Sequence, residues 1–322
     1  MAPEHDWSAA LGERVSLRFR IGEREGRPLF SDAVGVLSDG GPDDGPGTVV
    51  VATRRGPVRV DREAVVALRL VPPAPPRRAS WSAVARLENL CADAWPALVD
   101  EPLGAWRLRA AGGYTNRANS ALAVGDPGLP PDVALDRVRA FAAAHGVTPR
   151  LQTPIGSPWS KAAQHVGWVL EAGHAAGAEV AVLVTDLTAG EAVRLPAEPD
   201  ADWWSVGGGP AHETERRILT GGRTLGFGVE RRAGRVVGAI RAAVVEDHLY
   251  LSRLETVPAA RRTGVATRLT AAACAWGHAH GARWGVLQVA LDNTAALAFY
   301  AREGWREHHR YHYLIPGGAG PR

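Results

Sequence analysis

The chain has 322 residues, a hydrophobic share of 46% and a formal net charge of +3, and this length suits two or three soluble domains. No stretch approaches twenty apolar residues, and MAPEHDWSAALGERV lacks a basic segment followed by an apolar one, so neither a helical membrane span nor a secretion signal is expected. Lys161 is the only lysine and the arginines are interspersed with acids, so the pI near 9.2 does not mark a nucleic-acid surface; Cys91 and Cys274 read as reduced thiols of a cytoplasmic protein rather than as a disulfide or metal pair.

In chain order, residues 12–72 alternate short strand candidates with turn-forming segments: VSLRFRI, DAVGVLSD, TVVVATRR and VALRLV, divided by DGGPDDGPG and RRGP. This predicts a small antiparallel barrel, which resembles the Src-homology-3-like fold. Residues 73–79, within PPAPPRRA, read as a stiff extended linker.

Residues 80–195 hold an amphipathic helix over PPDVALDRVRAFAAAHG, a strand at TPRLQTP, and a helix SKAAQHVGW that ends in Gly-Trp. VLEAG and EVAVLVTDL follow as strands. This order echoes the C-terminal part of the chain, where AFYAREGW also closes a helix on Gly-Trp. Between these features lies GYTNRANS (Gly113 to Ser120), which is either a solvated loop or a pocket wall. In the second reading Arg117 clamps a carboxylate and amides such as Asn119 fix orientation.

Residues 196–322 carry the strongest signal. LYLSRLET (Leu249 to Thr256) reads as a strand and ATRLTAAACAWGHAHG as an alanine-rich helix stopped by glycine. Between them stands VPAARRTGVA, a short loop opening a helix. The first helical turn has unpaired N–H groups and the positive end of the helix dipole, so such a loop suits a phosphate. Gly264 lets backbone approach a ligand, Ala266 is the next smallest choice, and Arg261 and Arg262 add charge-assisted bonds. Further on, WGVLQVALDN reads as a strand, TAALAFYAREGW as a helix and HHRYHYLI as a last strand.

Arg261-x-x-Gly264-x-Ala266 has the Arg/Gln-x-x-Gly-x-Gly/Ala form of an acetyl-coenzyme A loop. Asn293, Ala296, Tyr300, Gly304 and Trp305 match a second motif in order and spacing. On these residues the chain resembles the GNAT superfamily of N-acetyltransferases. Its Thr115-x-Arg117-x-Asn119-Ser120 stretch and its ending are similar to actinobacterial tandem-GNAT proteins with an N-terminal barrel. The resemblance implies an α/β (α+β) mixed-sheet GNAT fold, with a degenerate GNAT-like middle half lacking the phosphate loop and a small all-β barrel before it.

It further implies acetyl-coenzyme A as acetyl donor. The backbone around Thr256 and Val257 would hold the pantetheine arm. Arg261, Arg262, Thr263, Gly264, Val265 and Ala266 would hold the diphosphate, with Asn293 and Ala296 contributing further contacts. Tyr300 would protonate the departing thiolate, an aromatic core contact being its other reading. Many relatives place a basic Glu on the strand before the loop. Here Glu255 is the nearest acid, but period-two alternation sets it on the face opposite Tyr250 unless the strand bulges. Gln288 occupies a strand position where some relatives carry Glu.

The expected acceptor is a small primary amine such as an amino acid, since some similar proteins are described as amino-acid or glutamate acetyltransferases. A protein acceptor recruited by the barrel and a non-catalytic coenzyme sensor are the alternatives. His308, His309 and His312 alternate along a strand, so no metal site is expected.

Overall fold

The computed structural model describes residues 7–42, 44–72, 79–173, 177–191, 193–207 and 212–318. The expected linker at 73–79 lies outside the described residues except for Ala79. The chain forms two units, Met1–Arg77 and Arg78–Arg322.

In the first unit a short helix α1 (Trp7–Ala10) precedes β1 (Arg14–Arg24), β2 (Arg27–Asp39), β3 (Thr48–Thr53), β4 (Gly56–Asp61) and β5 (Val65–Leu70). The antiparallel order is β4-β3-β2-β1-β5. Alternation along each strand puts Val15, Leu17, Ala33, Leu37, Val49, Val51, Val60 and Val65 into one core. No ladder joins β4 to β5, so the expected barrel is an open five-stranded sheet. The 3-10 turn Arg62–Ala64, capped by the Asp61 carboxylate on the Glu63 N–H, replaces a hairpin there, and β5 runs to the far edge beside β1.

The second unit begins with α2 (Trp81–Ala94), β6 (Val99–Leu103), β7 (Trp106–Ala110), β8 (Ala121–Leu122), α3 (Pro131–Ala144), β9 (Leu151–Pro154), α4 (Pro158–His165), β10 (Trp168–Leu170) and β11 (Glu179–Asp186). It continues with α5 (Ala201–Ser205), α6 (Glu213–Leu219), β12 (Thr224–Arg232), β13 (Arg235–Val245), β14 (His248–Thr256), α7 (Val265–Ala279), β15 (Trp284–Ala290), α8 (Thr294–Arg302) and β16 (Arg306–Pro316).

One sheet runs through both halves in the order β12-β13-β14-β15-β11-β16-β9-β8-β7-β6, with β10 also paired to β16. Each half contains a parallel strand pair bridged by a helix: β8–α3–β9 in the middle half and β14–α7–β15 in the C-terminal half. Each half also borrows a strand. β11 of the middle half lies between β15 and β16, while the end of β16 lies between β9 and β10.

Two cores cover the C-terminal half of this sheet. On one face α7 and α8 pack Val265, Leu269, Ala273, Trp276 and Tyr300 against Leu249 and Leu251. Gly277 allows this approach, since a Cβ there would sit 2.8 Å from the Leu249 side chain. On the other face Leu87, Leu90, Trp95, Trp203, Trp204 and Ile218 surround Tyr250 and Tyr311.

Candidate active site

β14 and β15 pair in parallel at three positions only, His248↔Trp284, Leu249↔Gly285 and Tyr250↔Val286. Beyond Tyr250 they separate, and β14 keeps β13 on one side while its other edge opens on a cleft. Free main-chain groups on such an edge can bind an extended ligand as an added strand.

At the mouth of the cleft α7 begins at Gly264, whose φ of 80° is left-handed and whose side chain supplies no cap. The first N–H groups of the helix are therefore open to an anion. The loop is shaped from within: the Thr263 hydroxyl donates to the Ala260 carbonyl at 2.7 Å, and Arg232 donates to the Thr263 carbonyl at 2.7 Å. Arg261 and Arg262 are exposed, Arg262 also with a positive φ of 58°. A Cβ on Gly264 would stand 2.9 Å from Arg268 Nη1. These residues fit a diphosphate.

Across the cleft, the Asn293 side chain caps α8 by accepting from the Ala296 N–H at 3.1 Å. One turn on, Tyr300 is buried, edge-on to Phe299 and Trp305. Its hydroxyl has no hydrogen-bond partner among the described residues. Burial, and then Cys274 nearby, push its pKa up, so the phenol keeps its proton at neutral pH.

The opposite face of β14 is polar. The ladder to β13 shifts register between Ala239 and Arg241, and Arg253 adopts a φ of 53°, so the strand bulges there. The extra residue reverses the alternation. Leu254 packs toward α7, and Glu255 turns to the face of Tyr250, where Arg253 Nε lies 3.2 Å from its carboxylate. The same guanidinium lies 3.5 Å from Glu215 on α6, and Glu215 accepts the Tyr114 hydroxyl at 2.9 Å. Burial pushes the Tyr114 pKa up to about 12.

Arg117 lies deeper than a pocket wall. Its Nη1 donates to Tyr250 and, at 3.0 Å, to Gln288, while its guanidinium stacks over Trp95. Asn119 does not face a ligand. Its side-chain oxygen accepts from Ala111 and Gly113 and its nitrogen donates to Thr115, so the whole amide is engaged in shaping the loop.

His308 Nδ1 lies 2.8 Å from His309 Nδ1, His309 meets Glu88 at 2.9 Å, and His312 on its own meets Ser160 at 2.9 Å. Among the described residues no group of three or more His, Cys, Asp or Glu suits a metal, both cysteines are free thiols, and no helix is long and apolar enough to cross a membrane.

Sequence reasoning missed Tyr114, Glu215 and Arg253. Tyr114 and Glu215 stand 101 residues apart, and only the strand bulge turns Glu255 toward Arg253 and Glu215.

The middle half has no comparable loop. There α3 starts at Pro130 and Pro131 with Asp132 in its first turn and no side-chain cap. Prolines supply no N–H and the carboxylate repels phosphate.

A mixed sheet with splayed parallel strands and an uncapped helix start between them defines a GNAT-type acyltransferase. The family model described as "Probable histone acetyltransferase Rv0428c C-terminal" matches residues 81–314, and the chain belongs to that family. The "Probable histone acetyltransferase Rv0428c" of Mycobacterium tuberculosis is 31% identical over 327 residues, spanning 96% of this chain and 97% of its own. Among solved structures, a GCN5-related N-acetyltransferase from Kribbella flavida shares the fold. Its TM-score is 0.54 at 18% identity, covering 73% of this chain and 96% of that one.

Proposed function

We propose that this acyltransferase moves acetyl from acetyl-coenzyme A to a small primary amine. The observation that carries this reading is the splay of β14 from β15, with the Gly264 helix start beside it and the Tyr300 phenol buried on the adjacent helix α8 near Cys274 of α7. In this reading residues 12–72 are an accessory sheet, 73–79 a linker, 80–195 the half without a coenzyme and 196–322 the half that holds it.

Acetyl-coenzyme A supplies the activated acyl group. Thr256 offers backbone partners to its pantetheine arm, whereas the expected Val257 gives its N–H to Val237 and its carbonyl accepts from Ala260 within the fold; Arg261 to Ala266 hold the diphosphate, and Asn293 and Ala296 border the same arm. Glu255, directly or through water, takes a proton from the acceptor ammonium. The neutral nitrogen then bonds to the thioester carbon, the C–S bond breaks, Tyr300 gives its proton to the sulfur, and the proton shed by the new amide nitrogen returns through solvent to the Tyr300 phenolate. An α-amino group, with a pKa of about 8 against about 10.4 for lysine, asks less of that base.

Enclosure favours a small acceptor. Glu215 is buried and Tyr114, Arg253 and Glu255 are half-buried, so the polar face of β14 is partly enclosed and favours a compact acceptor. The histone named in the relative's description supports a second reading, a protein amine. The full-length chain with acetyl-coenzyme A should release free thiol with one or more of a panel of amino acids and diamines, and more slowly with basic peptides. Thiol release with peptides alone would transfer the assignment to a protein acceptor, and release with none would sink acetyl transfer.

A further inference from the structure

Among the described non-glycine residues with a left-handed φ, Glu25, Ala233 and Glu246 lie in turns between paired strands, and Arg262 lies in the loop before α7. Arg253 alone of this group lies inside a strand. A glycine would take the bulge position without strain, so an arginine kept there at φ 53° marks a use for its guanidinium. The surroundings are built closely around that group. A Cβ on Gly207, just past α5, would stand 2.5 Å from Arg253 Nη2 and 3.3 Å from Glu255 Oε2, so bare backbone closes over the pair.

The guanidinium stands between two carboxylates. Its Nη1 is 3.5 Å from Glu215 and its Nε is 3.2 Å from Glu255. The second contact is an ion pair without an aligned hydrogen bond, and Nε is a buried donor with no hydrogen-bond partner among the described residues. Glu255 is therefore held beside the cation while its lone pairs stay open to a proton. Glu215 of α6 keeps Arg253 from closing on it. This carboxylate is 6% exposed, so it depends on its partners, and the Tyr114 hydroxyl donates to Oε1, the same oxygen that faces Arg253. Tyr114 is fixed in turn by the middle half. Its ring stacks on Trp95 with centroids 6.4 Å apart, and the Trp95 indole donates to the adjoining Thr115 hydroxyl at 3.1 Å.

We propose that Tyr114 and Glu215 are positioning residues for Glu255, acting through Arg253, so that the middle half prepares the base of the C-terminal half. The assignment rests on the acetyl-transfer reading above, with Glu255 as its base. While Glu215 is charged, the guanidinium is shared between two carboxylates. With Glu215 neutral, Arg253 turns its fork onto Glu255 and occupies the oxygens that must take the acceptor's proton.

The test is a double-mutant cycle on the full-length protein, read as thiol release with an amine that the wild type acetylates. Glu215→Gln, which keeps volume and removes the charge, should lower kcat about tenfold, with coenzyme affinity by calorimetry unchanged. In a Glu255→Gln background the same substitution should cause no further loss, because no base is left to position. Tyr114→Phe keeps the ring on Trp95 and removes only the hydroxyl. It should show a smaller loss with the same dependence on Glu255, and it carries the cycle if Glu215→Gln does not fold. Losses of equal factor in both backgrounds would overturn the proposal and leave the two residues as struts between the halves. Wild-type turnover in Glu215→Gln would overturn it as well. Wild-type protein that releases no thiol with any amine sinks the acetyl-transfer reading itself, and the positioning roles with it, so the two failures are told apart.

Discussion

The two halves of the second unit repeat one arrangement, a helix bridging parallel strands, and differ where a ligand would touch it. In the C-terminal half α7 opens on a left-handed glycine with bare N–H groups, and β14 carries a bulge. In the middle half α3 opens on two prolines and an acid, and β8 is two residues long. The shared architecture keeps its strand pair and its helix, and the halves differ at a few backbone positions of the helix start. The middle half keeps another role: it contributes Tyr114 and Arg117 to the other half's polar face.

This contrast can be broken at several points. The largest effect is expected at Tyr300, which has no counterpart hydroxyl in the middle half's Gly-Trp helix. Tyr300→Phe should lower kcat by about 10²–10³-fold with coenzyme affinity unchanged, as measured by steady-state kinetics and calorimetry. Wild-type turnover in that variant would leave the tyrosine an aromatic core residue. Glu255→Gln, which keeps shape and removes the base, should lower kcat/KM about 10²-fold at neutral pH. Partial recovery at higher pH, where the amine is already neutral, is the companion result; a pH-independent loss would point to a positional role.

Gly264→Val forces a branched side chain into φ 80° beside Arg268 and should weaken coenzyme binding about tenfold. The same titration should give one coenzyme per wild-type chain, and two equivalent sites would erase the distinction between the halves. The smallest effect concerns their seam. His312 of β16, bonded to Ser160 of α4, has its pKa lowered from 6.5 to about 4 by burial, and His308 is lowered to about 4 by burial and by His309. The unfolded chain takes up these protons below about pH 6.5 and the folded chain only near 4, so stability is fullest above 6.5 and declines as pH falls between the two. The unfolding temperature at pH 5 should lie several degrees below that at pH 7.5, less so in His312→Asn. A rise toward acid pH would show these rings to be charged in the fold.

The helix start at Gly264 was legible in the sequence because its requirements are local. A glycine at a left-handed position, small residues and a helix start all fall within ten residues. The same locality exposed the prolines of α3. The orientation of Glu255 was not legible, since alternation assumes an unbroken ladder and the bulge sits at an arginine rather than a glycine. Asn119 misled because a polar residue in a loop looks the same whether it faces a ligand or its own backbone. The open edge between β4 and β5, and the lending of β11 and β16, depend on pairings far apart in sequence, for which neighbouring residues carry no signal.

The lent strands also set an order of assembly. β16 is the last described strand, and it fills the gap between β9 and β10, which leave the ribosome some 150 residues earlier. The middle half must wait, its strand edges unpaired, until the end of the chain has been made. Chains interrupted late in synthesis should therefore lose both halves at once, and a nascent chain of this kind is a client for whatever holds exposed strand edges apart.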